Sequence, residues 1–169
     1  AHTTYPLGKM RIPDFASDKF GAERDMVMIV DESLVNECGT GESRQMVWFV
    51  DATIEKQPMV VSNYTPAAGN FCERGGRFGA HSSNESMAPV FFGKLAFVTF
   101  FNAGVRAIDI RNPYRPREVG YFIPAITSAT DKRCIPIEGG ARCKVAIQTN
   151  NVETDDRGYI YIVDRANTG

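Results

Sequence analysis

Short apolar runs alternate with turn chemistry along the whole chain. Leu95 to Pro124, LAFVTFFNAGVRAIDIRNPYRPREVGYFIP, reads as three strands joined by two turns. LAFVTFF and VRAIDI are β-branched and aromatic runs parted by Asn102-Ala103-Gly104. EVGYFI follows a turn rich in Asn-Pro and Arg-Pro pairs. Runs this short, divided by Gly and Pro, predict an antiparallel meander. The first two lack the polar alternation of a sheet with one wet face. They therefore predict strands covered on both sides.

The pattern then recurs. Met46 to Pro66 reads MVWFVDATIEKQPMVVSNYTP, and when Asp51 is set on Asp109, Pro58 falls on Pro116 and Pro66 on Pro124. MVMIVDE at 26–32 and YIYIVDR at 159–165 match LAFVTFF as the strand before. The unit recurs about two and a half times, over roughly 1–66, 67–124 and an incomplete 125–169. Four-stranded units stacked around an axis predict an all-β fold of β-propeller blades. The bland alternative is an antiparallel sandwich or barrel of unrelated strands, which leaves the coincidence of landmarks unexplained. A propeller takes about four to eight blades. The chain is therefore expected to be a piece of a larger propeller, with the remaining blades in the same or another chain. Inner strands are expected at 1–6, 81–87 and 146–153, and loops at 7–24, 33–45, 65–79 and 125–144.

FVTFFNAGVRAIDIRNPYRPREVGYF, together with ERGGRFGAH (73–81) and TNNVETDDRGYIYIVDR (149–165), resembles the LVIVD-repeat β-propeller proteins. The likeness covers nearly the whole chain. Selenium-binding and methanethiol-oxidase propellers are more distantly similar. The resemblance implies the fold, and implies no particular activity.

The charge balance, 19 basic against 20 acidic residues for a net −1, asks for neither nucleic acid nor an anionic membrane. The three arginines of 111–117 read as a solvated turn. No apolar run of 18 residues is present, so no membrane-spanning helix is expected. The four cysteines, at 38, 72, 134 and 143, fall in expected loops without a CxxC pair. That argues against a structural zinc site. It predicts disulfides, Cys134 with Cys143 and Cys38 with Cys72, and an oxidising location: secreted, periplasmic or cell-surface.

Inner strands line a propeller's channel. The polar residues that fall on them are His2, His81, Glu85, Asn150 and Asn151, from three successive units, and the chain has only two histidines. Histidine and carboxylate suit a divalent transition metal, with His2 and His81 as ligands and positions left open for a substrate. The plainer reading is a wet channel whose histidines satisfy backbone groups. The Gly-rich TPAAGNFCERGGRFG lacks the spacing of a phosphate-cradling loop, and Ser82 and Ser83 lack a nucleophile elbow. Asp51, Asp109 and Asp164 are expected to accept backbone N–H groups at strand ends. Two functions fit. The favoured one is a secreted or surface scaffold that binds a protein or small-molecule ligand. Its competitor is a metal-dependent hydrolase or oxidase centred on the channel.

Overall fold

The fold was described from a computed structural model, which covers residues 1–34 and 45–167. The first sheet joins β1 (Thr3–Arg11), β2 (Glu23–Val30), β3 (Val47–Asp51) and β4 (Met59–Tyr64) antiparallel in sequence order. β5 (Leu95–Thr99), β6 (Val105–Asp109) and β7 (Arg117–Phe122) form a second sheet. β8 (Lys132–Ile137) pairs with β9 (Gly140–Val145), and β10 (Thr149–Thr154) with β11 (Ile160–Asp164). The chain is all-β. Its helical content among the described residues is the short α1 (Phe71–Arg74) and one 3-10 turn at Pro13–Phe15.

The repeated sequence makes repeated geometry. Asp51 pairs with Met59 and Asp109 with Arg117, the same offset, and the returning strand bulges at the same place in each, at Val61 of β4 opposite Phe49 and Val50 and at Val119 of β7 opposite Ala107 and Ile108. Each aspartate then closes the same local turn. Asp51 Oδ1 accepts the N–H of Thr53 at 2.8 Å, Asp109 Oδ1 that of Arg111 at 3.1 Å, and Asp164 Oδ1 that of Ala166 at 2.9 Å. A carboxylate that takes the amide two residues on stops the ladder and starts the turn.

Three expectations need correction. The inner strand expected at 1–6 runs on to Arg11 as β1. Pro6 and Gly8 looked like punctuation, but they flank a bulge where Gly8 takes φ 70°, and burial of Tyr5, Leu7 and Met10 continues on either side. Residues 81–87 follow β5 without forming a regular strand. Ser83 bridges Val98, while Asn84 and Thr99 side chains bond the backbone across the pair and interrupt the ladder. The loop expected at 125–144 is mostly the β8–β9 hairpin. Gly139 at φ 81° supplies its tight turn, and Cys134 lies directly opposite Cys143 in register. These two cysteines are disulfide-bonded, with Cα atoms 4.0 Å apart. Cys72 is disulfide-bonded too, and its expected partner Cys38 lies outside the described residues. The expected long insertion at 33–45 falls largely outside them as well.

The first two sheets share one core. Met28, Val30, Val47 and Phe49 of the first pack with Ala96, Val98 and Ile108 of the second. Tyr64 meets Phe100 edge-on at 5.8 Å, and the Tyr114 hydroxyl crosses to Asp51. A smaller cluster of Phe97, Val105 and Val152 joins β5 and β6 to β10. Burial of this kind contributes roughly 25 cal/mol per Å2 of apolar surface. On the far side, Tyr121 and Phe122 of β7 and Ile160 of β11 stay exposed along an open groove.

Two stability tests follow from this packing. Gly104 carries the chain from β5 to β6 at φ 74°, and a Cβ there would stand 2.2 Å from the Phe122 carbonyl oxygen. Gly104→Ala is expected to cost at least ~1–3 kcal/mol from the backbone conformation alone. An unchanged urea midpoint would overturn this account. The second test concerns Asp109. Its hydrogen bonds from Arg111 hold the carboxyl down to about 2, although burial opposes them. A carboxyl depressed below its unfolded value of about 3.9 stabilises the fold above that pH and loses the contribution as pH falls toward 2. Asp109→Asn should therefore lower the melting temperature at pH 7, with the gap to the parent closing below pH 3.

Candidate metal centre

His81 is the residue around which the candidate site forms. It is 1% exposed, and its N–H donates to the Thr99 carbonyl at 2.9 Å. The His2 N–H donates to Val30 at 2.8 Å in the same way. Val30 and Thr99 are each the last residue of the apolar strand in their unit, β2 and β5. The two histidines thus hold like positions in successive units, and their rings lie 4.3 Å apart between centroids.

The polarity of His81 is fixed from behind. Its Nδ1 lies 2.6 Å from the Asn150 carbonyl oxygen, an acceptor only, so Nδ1 carries the proton. Burial holds the imidazole below its ordinary range, against the opposing effect of the Asn150 carbonyl, so the ring is neutral at pH 7. Nε2 then presents a lone pair, 3.5 Å from Glu32 Oε1. Two lone-pair atoms this close attract nothing by themselves and suit a cation set between them. Among the described residues, His2, Glu32 and His81 offer ligand atoms that all lie within 4.8 Å of one another. Two imidazoles and one carboxylate form a donor set for a first-row divalent metal.

Two arginines border the set. Arg165 Nη2 lies 3.5 Å from His81 Nε2. Arg77 Nη1 lies 3.5 Å from Glu32 Oε1, donates to the Ser33 carbonyl at 2.9 Å, and its guanidinium sits 4.3 Å over the Phe101 ring. The Arg77 backbone is clamped by Gln148, whose Oε1 accepts its N–H at 3.0 Å and whose Nε2 donates to its carbonyl at 3.3 Å. Gly76 permits this clamp. A Cβ at Gly76 would come within 2.4 Å of Gln148 Nε2. At Gly76 the Gly-rich stretch serves close approach.

The structure brings His2 and His81 together and leaves other candidates apart. Asn150 contributes its backbone carbonyl, while its side chain turns to Asn151. Asn151 is exposed on the other face of β10. Glu85 is exposed, and its amide donates to Glu153 Oε1 at 2.5 Å. The sequence reading missed Glu32, Arg77 and Arg165. A signal existed for two of them. Glu32 follows Ile29-Val30-Asp31, and Arg165 follows Ile162-Val163-Asp164. In the second unit the matching position is Phe101, whose ring lies 5.0 Å from that of His81 and whose φ of 41° makes it the one non-glycine residue in the left-handed region among those described. All three residues at this repeat position touch His81.

No family model, curated protein or solved structure matches the chain. Among the described residues, no helix is long and apolar enough to cross a membrane.

The tautomer can be tested directly. Long-range 1H–15N spectra of the metal-free protein at pH 7 should show His81 neutral and protonated on Nδ1. An Nε2–H ring would break the argument for a lone pair facing Glu32.

Proposed function

We propose that this chain is an LVIVD-repeat-like β-propeller module with a divalent transition-metal site formed by His2, just before β1, Glu32, just after β2, and His81, in the segment beside β5. One observation carries the reading: donor atoms from two successive units lie within 4.8 Å of one another. The repeated bulge and aspartate turns support the propeller assignment. His81 fits the role because it is neutral, buried and oriented by a carbonyl behind it, the usual support of a metal-bound imidazole. Three protein ligands leave positions open for substrate. A bound divalent ion supplies a Lewis acid there. The residues around it position the ligand, and Phe101 limits water on one side. The Cys134–Cys143 disulfide supports an extracytoplasmic location.

A scaffold reading keeps one observation of its own, the exposed groove of Tyr121, Phe122 and Ile160, which contains none of the site residues. It accounts for that surface and leaves the His–Glu cluster unexplained.

Titration of metal-free protein with Co2+ or Zn2+, followed by calorimetry and visible absorption, should give one site per chain. Glu32→Gln removes a carboxylate that is 21% exposed and should weaken binding by tenfold or more at little cost in stability. His81→Ala is the poorer probe, because its buried ring also ties two units together. Equal affinity in the parent and Glu32→Gln would dismiss the centre.

A further inference from the structure

Among the described residues the charges around the site do not balance. Arg165 and Glu32 both reach His81 Nε2, Arg77 reaches Glu32, and the two imidazoles add no charge when neutral. Among the described residues no carboxylate lies within ion-pairing distance of Arg165, whose guanidinium contact is with His81 Nε2. The neighbouring Asp164 is spoken for: its carboxylate accepts the amides of Gln148, Ala166 and Asn167 and the hydroxyl of Thr149. Among the described residues Arg77 pairs with one carboxylate, Glu32 at 3.5 Å, which also lies 3.5 Å from His81 Nε2.

The positions of the arginines are also held. Arg77 is only 25% exposed at its side chain, stacked on Phe101 and clamped through its backbone by Gln148. Arg77 and Arg165 reach neighbouring atoms of the site: Glu32 Oε1 and His81 Nε2, each contacted at 3.5 Å, are themselves 3.5 Å apart. Arg165 is fixed by its own N–H, which donates to the Gln148 carbonyl at 3.0 Å. Gln148 thus anchors both arginines, one through its side chain and one through its backbone. Two guanidinium groups on one site, with a carboxylate beside Arg77 and none beside Arg165 among the described residues, fit an incoming anion. Guanidinium matches planar or tetrahedral oxyanions through paired N–H donors.

We infer that Arg165 and Arg77 form an oxyanion subsite beside His2, Glu32 and His81, so that the ligand of this site bears a carboxylate or phosphate group. The inference deepens the proposed metal centre, since the same anion would reach the metal's open positions, but the arginines can hold an oxyanion with or without the ion. A neutral or cationic ligand leaves the Arg165 guanidinium without a counter-charge among the described residues.

The test uses the whole chain, metal-free and loaded with Co2+, titrated by calorimetry with succinate and separately with inorganic phosphate. At least one of the two should bind, and the arm that binds identifies the group. Arg165→Gln alters an exposed side chain and should weaken that anion at least tenfold in the metal-free protein, where Co2+ plays no part. Arg77→Gln should weaken the anion too, and it checks the first result from the other side of the site. Co2+ binding with no anion binding, or anion affinity equal in the parent and both variants, overturns the subsite and leaves the metal centre standing. Anion binding that is lost in Arg165→Gln while the parent takes up no Co2+ upholds the subsite and removes the metal. Failure of both titrations removes both.

Discussion

The Asn150 carbonyl is the contact on which the centre of the structure depends. It accepts from His81 Nδ1 at 2.6 Å, Thr99 Oγ1 at 2.7 Å and Ser82 Oγ at 2.9 Å. One oxygen from β10 therefore draws three donors from the neighbouring unit. All are buried, away from competing water, where such bonds are strongest and their loss costs most. The contact does two things at once. It joins the unit of β5–β7 to that of β10–β11, and it sets which nitrogen of His81 faces Glu32 and Arg165. Packing and chemistry are tied to the same atom.

Beyond this point the units meet through mixed contacts. Between the first and second sheets, aromatic rings and hydroxyls cross the interface, with Tyr64 on Phe100 and Ser62 donating to the Pro113 carbonyl at 2.5 Å. The β8–β9 hairpin docks differently. Arg142 donates to the Cys72 carbonyl at 2.7 Å and Lys144 to the Glu73 carbonyl at 2.6 Å, so cations cover the open carbonyls of α1. The disulfide keeps those two side chains in register. Gly75 lets Lys144 lie against the chain, since a Cβ there would come within 2.5 Å of its Cβ.

Much of the fold was legible because its signals are local. The aspartate at each strand end bonds an amide two residues away, and a fixed offset to proline marks the returning strand. Spacing alone reveals both. β1 and the β8–β9 hairpin were harder. In each, glycine and proline sit inside or between paired segments, where they make a bulge and a two-residue turn and do not end the structure. The site was half legible. His2 and His81 stood out as the only histidines. Glu85 and Asn151 shared their segments, but irregular pairing at 81–87 and the alternation of β10 turned them outward. Glu32 and Arg165 were hidden for another reason. They share a repeat position without sharing chemistry, and a search for like residues passes over them.

That position carries Glu32, Phe101 and Arg165 in turn. Identical residues there would surround His81 with equal neighbours and offer a visiting molecule several equivalent poses. Here the neighbours are an acid, a flat apolar wall and a base. The field across the site therefore has a direction, and a ligand with distinct ends can lie in it only one way round.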